Sequence, residues 1–121
     1  MELYNFEKLD VYKKSLDFID FVYSIIELFP QEEKYNLSSQ LRRATTSIAL
    51  NIAEGAGENK KVFNRYVRIS QGSARECLVC FEIALKREYI SDEKYLIARK
   101  DIGDITKMLV GLSKYLLNSN N

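Results

Sequence analysis

Apolar residues recur along most of this chain at alternating steps of three and four, the spacing that gathers side chains on one face of an α-helix. The first run, in which Leu9, Tyr12, Leu16, Ile19, Tyr23 and Ile26 recur at those steps, predicts a helix from about Lys8 to Phe29, with Pro30 as its stop. A second row, Val11, Phe18, Val22, Ile25 and Phe29, runs beside the first. Together they make an apolar face wider than one seam of a monomeric bundle requires, and the excess points to a subunit interface.

A second helix starts from a cap at Asn36 or Ser38, carries Leu41, Ile48 and Ile52 as its stripe, and stops where Gly55 and Gly57 free the backbone. A third runs from near Asn59 to about Arg87, with Phe63, Tyr66, Ser70, Ser73, Ala74, Cys77, Phe81 and Ala84 as its core row. Gly72 in its middle costs about 1 kcal/mol relative to alanine, which predicts that a neighbouring helix approaches closely there. Ser91 caps a fourth helix, with Asp92 and Glu93 in the first turn, and its stripe is Tyr95, Ile102, Ile105, Leu109, Leu112 and Leu116. The polar tail from Asn118 to Asn121 is expected to fray. Short connections between long amphipathic helices make successive helices antiparallel. The expected fold is therefore all-α, an antiparallel up-down-up-down four-helix bundle, forming a single domain over residues 1–121.

Composition agrees with this pattern. A chain of 121 residues holds one continuous core and is too short for two. No apolar stretch approaches the length of a membrane span, and the segment MELYNFEKLD has neither the basic nor the apolar region of a leader, so the expected compartment is the cytoplasm. Cys77 and Cys80 stand three apart with no further cysteine and no histidine in the chain, so cysteine and histidine cannot complete a zinc site. Two buried or half-buried thiols are expected, with no metal and no cofactor.

Charge changes the picture more. Net charge is +1, but between Ser38 and Arg87 nine basic residues face four acidic ones, a local +5 against −4 in the remainder. Arg42, Lys60, Lys61, Arg65, Arg68 and Arg75 are expected on the exposed sides of the second and third helices and the loop between them, where they could contact successive phosphates. An ordinary solvated charged face with surface ion pairs is the other reading of the same residues. Phe63 and Tyr66 interleave with these bases, but their phase places them in the core rather than on a stacking platform.

The segment SIALNIAEG carries Ser47, Asn51 and Glu54 on one helical face beside the apolar stripe, so part of that polar row should lie near the core. A buried carboxylate needs a partner. Arg43, Ser47, Asn51 and Glu54 of the second helix, with Ser73 and Glu76 of the third, are expected to form a structural polar network that fixes how the two helices pair. The sharper alternative is that Glu54 and Glu76 converge to bind a divalent cation or to divide acid and base roles. Absence of histidine removes the commonest general base and the usual hydrolytic pairs, so an enzyme is not expected. GAGENKK follows a helix where a phosphate-binding loop would follow a strand.

Three separated segments, FEKLDVYKKS, LFPQEEKYNLSSQLRRATTSIALNIAEG and RISQGSARE, resemble in order and spacing the signature segments of the bacterial 23S rRNA intervening-sequence proteins, a four-helix-bundle family. The resemblance spans nearly the whole chain and covers Gln40, Arg42, Arg43, Ser47, Asn51, Glu54, Gly55, Gly72, Ser73 and Glu76. A similar fold serves as the accessory variability protein of diversity-generating retroelements, a pentameric barrel that binds nucleic acid and a reverse transcriptase. Resemblance to this wider group implies a homo-oligomer, with a pentamer the expected number. Those accessory proteins act through a strongly basic surface, whereas this chain is near neutral, so only its local basic block supports the same activity. The expected function is a non-enzymatic oligomer that binds RNA or DNA through the basic face; the alternative is a structural or protein-interaction scaffold whose partner is another protein.

Overall fold

The computed structural model describes residues 1–118. Four α-helices account for most of them: α1 (Asp10–Ile26), α2 (Leu37–Ala56), α3 (Lys60–Lys86) and α4 (Asp92–Asn118). Short 3-10 turns precede α1 at Asn5–Lys8 and α2 at Gln31–Glu33, and no strand occurs among the described residues. Contacts between α2 and α3 pair Gln40 with Glu76, Ser47 with Ser73 and Gly55 with Phe63, so the two helices run antiparallel. Asn64 with Ser113 and Glu82 with Arg99 do the same for α3 and α4. Helix α1 packs on α2 and, more lightly, on α4. The result is the four-helix bundle that the periodicity predicts. Helix α4 reaches Asn118; the remainder of the tail expected to fray, residues 119–121, lies outside the described residues.

Of the two apolar rows of α1, the second goes into the core. Val11, Phe18, Val22, Ile25 and Phe29 are the buried set, together with Ser15, whose hydroxyl donates to the Val11 carbonyl at 2.7 Å. Leu16 and Tyr23 are exposed, and Leu9, Tyr12, Ile19 and Ile26 are half-buried. Hydroxyl groups decide the choice: the row with two tyrosines settles where their oxygens reach water, and the purely hydrocarbon row goes inside. Phe18 then meets Phe81 of α3 across the core, ring centroids 6.3 Å apart. The helix also ends at Ile26, earlier than expected, and tightens into a 3-10 turn before Pro30, with Leu28 N–H on the Ile25 carbonyl and Phe29 N–H on the Ile26 carbonyl.

Close approach between helices occurs at Gly55 rather than Gly72. A Cβ on Gly55 would lie 2.7 Å from Tyr66 Cβ and 2.8 Å from Phe63 Cδ1, whereas at Gly72 the nearest atom would be the flexible Arg75 guanidinium at 3.7 Å. The expected reason for Gly72 is therefore absent, since that position faces away from α2. In α3, Asn64 and Val67 join the buried set, while Phe63 and Tyr66 are only half-buried.

Helix ends have mixed origins. Asn59 and Ser91 cap α3 and α4 with their side chains, accepting from Val62 N–H at 3.0 Å and Lys94 N–H at 3.1 Å. Asn36 occupies the N-cap position of α2 but makes no capping bond with its side chain, and Ser38 is buried inside the helix; Glu33 instead accepts from Leu37 N–H at 3.3 Å and from Asn36 Nδ2 at 3.2 Å. Tyr89 donates its hydroxyl to the same carboxylate at 2.7 Å, tying the α3–α4 turn to the start of α2. These bonds hold the Glu33 carboxyl below its ordinary value, the Tyr89 hydroxyl contributing most. The turn itself closes with Tyr89 N–H on the Ala84 carbonyl and Glu88 N–H on the Leu85 carbonyl, a Schellman arrangement with Glu88 at φ 63° where glycine is usual.

Candidate nucleic-acid interface

The polar residues of α2 and α3 divide into two separate groups. Ser47 is the hub of the first: its hydroxyl accepts from Asn51 Nδ2 and from the Ser73 hydroxyl, each at 2.9 Å, and Asn51 also donates to the Ser47 carbonyl at 2.8 Å. Ser70 adds a buried bond to the Ile48 carbonyl at 2.9 Å. The second is a single exposed contact in which Gln40 Nε2 donates to Glu76 at 2.8 Å. Arg43 and Glu54 are exposed, and neither has a hydrogen bond or ion pair in this network. Expected partners therefore become neighbours only in part. Glu54 needs none, because it lies in water rather than near the core.

This geometry separates the two carboxylates that might have worked together. Glu76 stands opposite Gln40, and Glu54 is fourteen residues further along α2, about 21 Å at helical rise. No cation or substrate bond can be shared across that distance. Among the described residues no three Cys, Asp or Glu side chains converge as metal ligands would. Cys77 lies in the core 3.4 Å from the Thr45 hydroxyl, and burial pushes its thiol up to about 12 and that of Cys80 to about 11. Both stay protonated at neutral pH and behave as small apolar groups.

The six basic residues do not form one surface. Arg42 lies against the Tyr23 ring of α1, its guanidinium carbon 5.9 Å from the centroid, and so belongs to the α1–α2 side. Lys60 is half-buried, its amine 5.5 Å from the centre of the Tyr115 ring at the end of α4. Lys61, Arg65, Arg68 and Arg75 are all exposed on α3. Asn64 and Glu82 both bond α4, and Arg68 and Arg75 fall between them at steps of four, seven and seven, so the row leans toward α4. Ser70, Ser73 and Glu76 occupy the side toward α2. Of the α2 cations, Arg42 lies on the far side, and Arg43 is exposed between Gln40 and Ser47, on the seam with α3 rather than on the side toward α4. None of the four cations enters an ion pair among the described residues.

A different surface lies on the opposite side of the bundle. Phe6, Tyr12, Leu16 and Ile19 face Thr46, Ala49, Leu50 and Ala53 across an open apolar groove between α1 and α2. Leu16 is 43% exposed and Leu50 67% exposed on its two walls. No helix of the described residues is long and apolar enough to cross a membrane.

A family model described as 23S rRNA-intervening sequence protein matches residues 7–111, which take in α1, α2, α3 and most of α4. The chain belongs to this family. No curated protein matches the chain. The crystal structure of a protein of unknown function from the S23 ribosomal protein family of Bacteroides thetaiotaomicron VPI-5482 is similar to it, with 29% identity and a TM-score of 0.79. That likeness covers 86% of this chain and 98% of the other. In this intervening-sequence protein the matched span includes the Ser47 network, the Gly55 contact and all four exposed α3 cations.

Proposed function

We propose that this 23S rRNA-intervening sequence protein is a non-enzymatic homo-oligomer of the cytoplasm that binds RNA or DNA through phosphate contacts on the outer face of α3. The single observation that carries the reading is the set Lys61, Arg65, Arg68 and Arg75, four exposed cations on one helical face without an acidic partner among the described residues. Arg65 to Arg75 spans about 15 Å of helix, enough for more than one phosphate of a strand. Contacts of this kind position a protein on the backbone and carry no base sequence. The open α1–α2 groove supports the oligomer, and the family resemblance suggests five copies; a ring would repeat weak phosphate contacts on identical faces.

The test is binding of the purified protein to RNA and DNA at two salt concentrations, with oligomeric mass measured in the same buffers. Affinity should fall steeply with salt, and Arg65→Glu with Arg68→Glu should weaken it on the order of tenfold or more and flatten the salt dependence by roughly two ion equivalents. Equal affinity of that variant, with its helical content intact, would remove the α3 face as the binding surface. The second reading, a scaffold for a protein partner, rests on the uncovered α1–α2 groove and gains if no binding is found even at low salt.

A further inference from the structure

We infer that the phosphate-binding surface is built from α3 and α4 together, with Lys107 and Lys114 as its second row, and that α2 is no part of it. The inference rests on the nucleic-acid reading of α3 and extends it to residues on another helix. The segment from Lys60 to Arg75 contains five basic residues and no acidic one. The segment from Ile105 to Asn118 contains Lys107 and Lys114, again with no Asp or Glu. These two acid-free stretches lie far apart in sequence, yet the fold sets them side by side: the Ser113 hydroxyl donates to Asn64 Oδ1 at 2.6 Å, and Lys60 reaches the Tyr115 ring.

Phase places the two lysines outward. Ser113 faces α3, and Ile102, Ile105, Leu109 and Leu116 are buried, so Lys107 and Lys114, one heptad apart, stand on the side of α4 opposite the core. Both are exposed, and neither enters an ion pair among the described residues. Of the acids of α4, Asp101 and Asp104 bind Lys14 of α1 and Asp104 also binds Lys100, while Lys107, three residues on, feels the Asp104 carboxylate without a direct ion pair. At the other end of the same helix pair Glu82 neutralises Arg99 at 3.7 Å. Exposed cations without an ion pair are thus concentrated in one half of the α3–α4 face, with Lys86 of α3 beyond the Glu82–Arg99 pair at the other end. Packed helices are separated by about 8–10 Å, and Lys107 and Lys114 by about 10 Å of helical rise, so two parallel rows of cations cover an area comparable with a few consecutive phosphates. Cations spread over two helices suit the repeated charges of a sugar-phosphate backbone more than a single small anion.

The experiment compares two double reversals with the unaltered protein, using the same 30-mer RNA and DNA probes and a salt titration. Lys107→Glu with Lys114→Glu should weaken binding about tenfold and lower the salt slope by roughly two, as the α3 reversal does. Arg42→Glu with Arg43→Glu, an equal change of charge on α2, should leave the slope near its original value. If the α3 reversal weakens binding and the α4 reversal does not, the second row is wrong while the α3 reading stands. Equal losses from the α2 and α4 pairs would mean that only net charge matters, which overturns the assignment of a surface. No binding by the unaltered protein at low salt removes both readings. Circular dichroism and thermal melts of each variant check that the bundle is intact.

Discussion

The α1–α2 side of the bundle and the α3–α4 side are built from the same kind of amphipathic helix, yet they leave opposite surfaces exposed. On the first, two apolar rows compete for one core, and the row with Tyr12, Leu16, Ile19 and Tyr23 is left on the rim of a hydrocarbon groove. On the second, the rim carries Arg65, Arg68 and Arg75 of α3, and exposed apolar side chains such as Ile69, Val79, Val110 and Leu117 lie scattered among charges rather than facing each other across a groove. Between them the α2–α3 seam is closed by Gly55 and by short hydroxyl side chains, Ser47, Ser70 and Ser73. The difference teaches that helices 2 and 3 act as a rigid spine with unlike surfaces on either side. An oligomer contact and a phosphate surface can then coexist without sharing residues.

The largest expected effect breaks the apolar side. Leu16→Glu with Leu50→Glu places charge in the α1–α2 groove and should convert the oligomer to a monomer with unchanged helical content, measured by sedimentation equilibrium; an unchanged mass would free that groove of any role between copies. Next comes the seam. Gly55→Ala should destabilise by about 1–3 kcal/mol, because the new methyl group collides with Tyr66 and Phe63. Gly72→Ala, whose methyl group would meet only the flexible Arg75 side chain at an ordinary 3.7 Å, should stabilise by roughly 0.5–1 kcal/mol in the same urea titration. Equal signs for the two glycines would contradict the claim that close approach occurs only at the first. Glu88→Gly should add about 1 kcal/mol by relieving the left-handed backbone at the α3–α4 turn.

The smallest effect is in pH. Glu33 is held below its ordinary value of 4.5 by the Tyr89 hydroxyl, then by Leu37 N–H, so the folded state prefers the ionised form more than the unfolded chain does. Its contribution is complete above about pH 4.5 and is lost as pH falls through the lowered folded value. Glu33→Gln should therefore flatten the acid limb of a stability profile, leaving the share of Asp104, whose carboxyl is lowered mainly by its bond to Lys100. A profile identical to that of the unaltered protein would show that the carboxylate does not hold the α2 terminus.

Helix number, order and approximate ends are legible in the sequence because three-and-four periodicity, Pro30, Asn59 and Ser91 are local signals. Which of two parallel apolar rows goes inside is a tertiary matter, decided here by tyrosine hydroxyls and by the partners of α1. The same limit applies to the glycines: Gly55 and Gly72 look alike in sequence, and only the direction each faces tells them apart. Glu33 as the cap of α2 stood outside the expected pair Asn36 and Ser38 because it reaches in from the preceding turn. The basic face was half legible. Counting charges along the chain finds α3, but it adds Lys107 and Lys114 to a segment that is acidic on average, and the acid-free run from Ile105 to Asn118 is the signal that a coarser count averages away.

Lysine footprinting tests the central claim most directly, by mass spectrometry of amine labelling with and without a saturating 30-base-pair duplex. Lys61, Lys107 and Lys114 should be protected by the duplex, while Lys13, Lys34 and Lys94 keep their labelling rates. Protection spread evenly over all six, or confined to Lys13 and Lys34, would contradict a phosphate surface on the α3–α4 side.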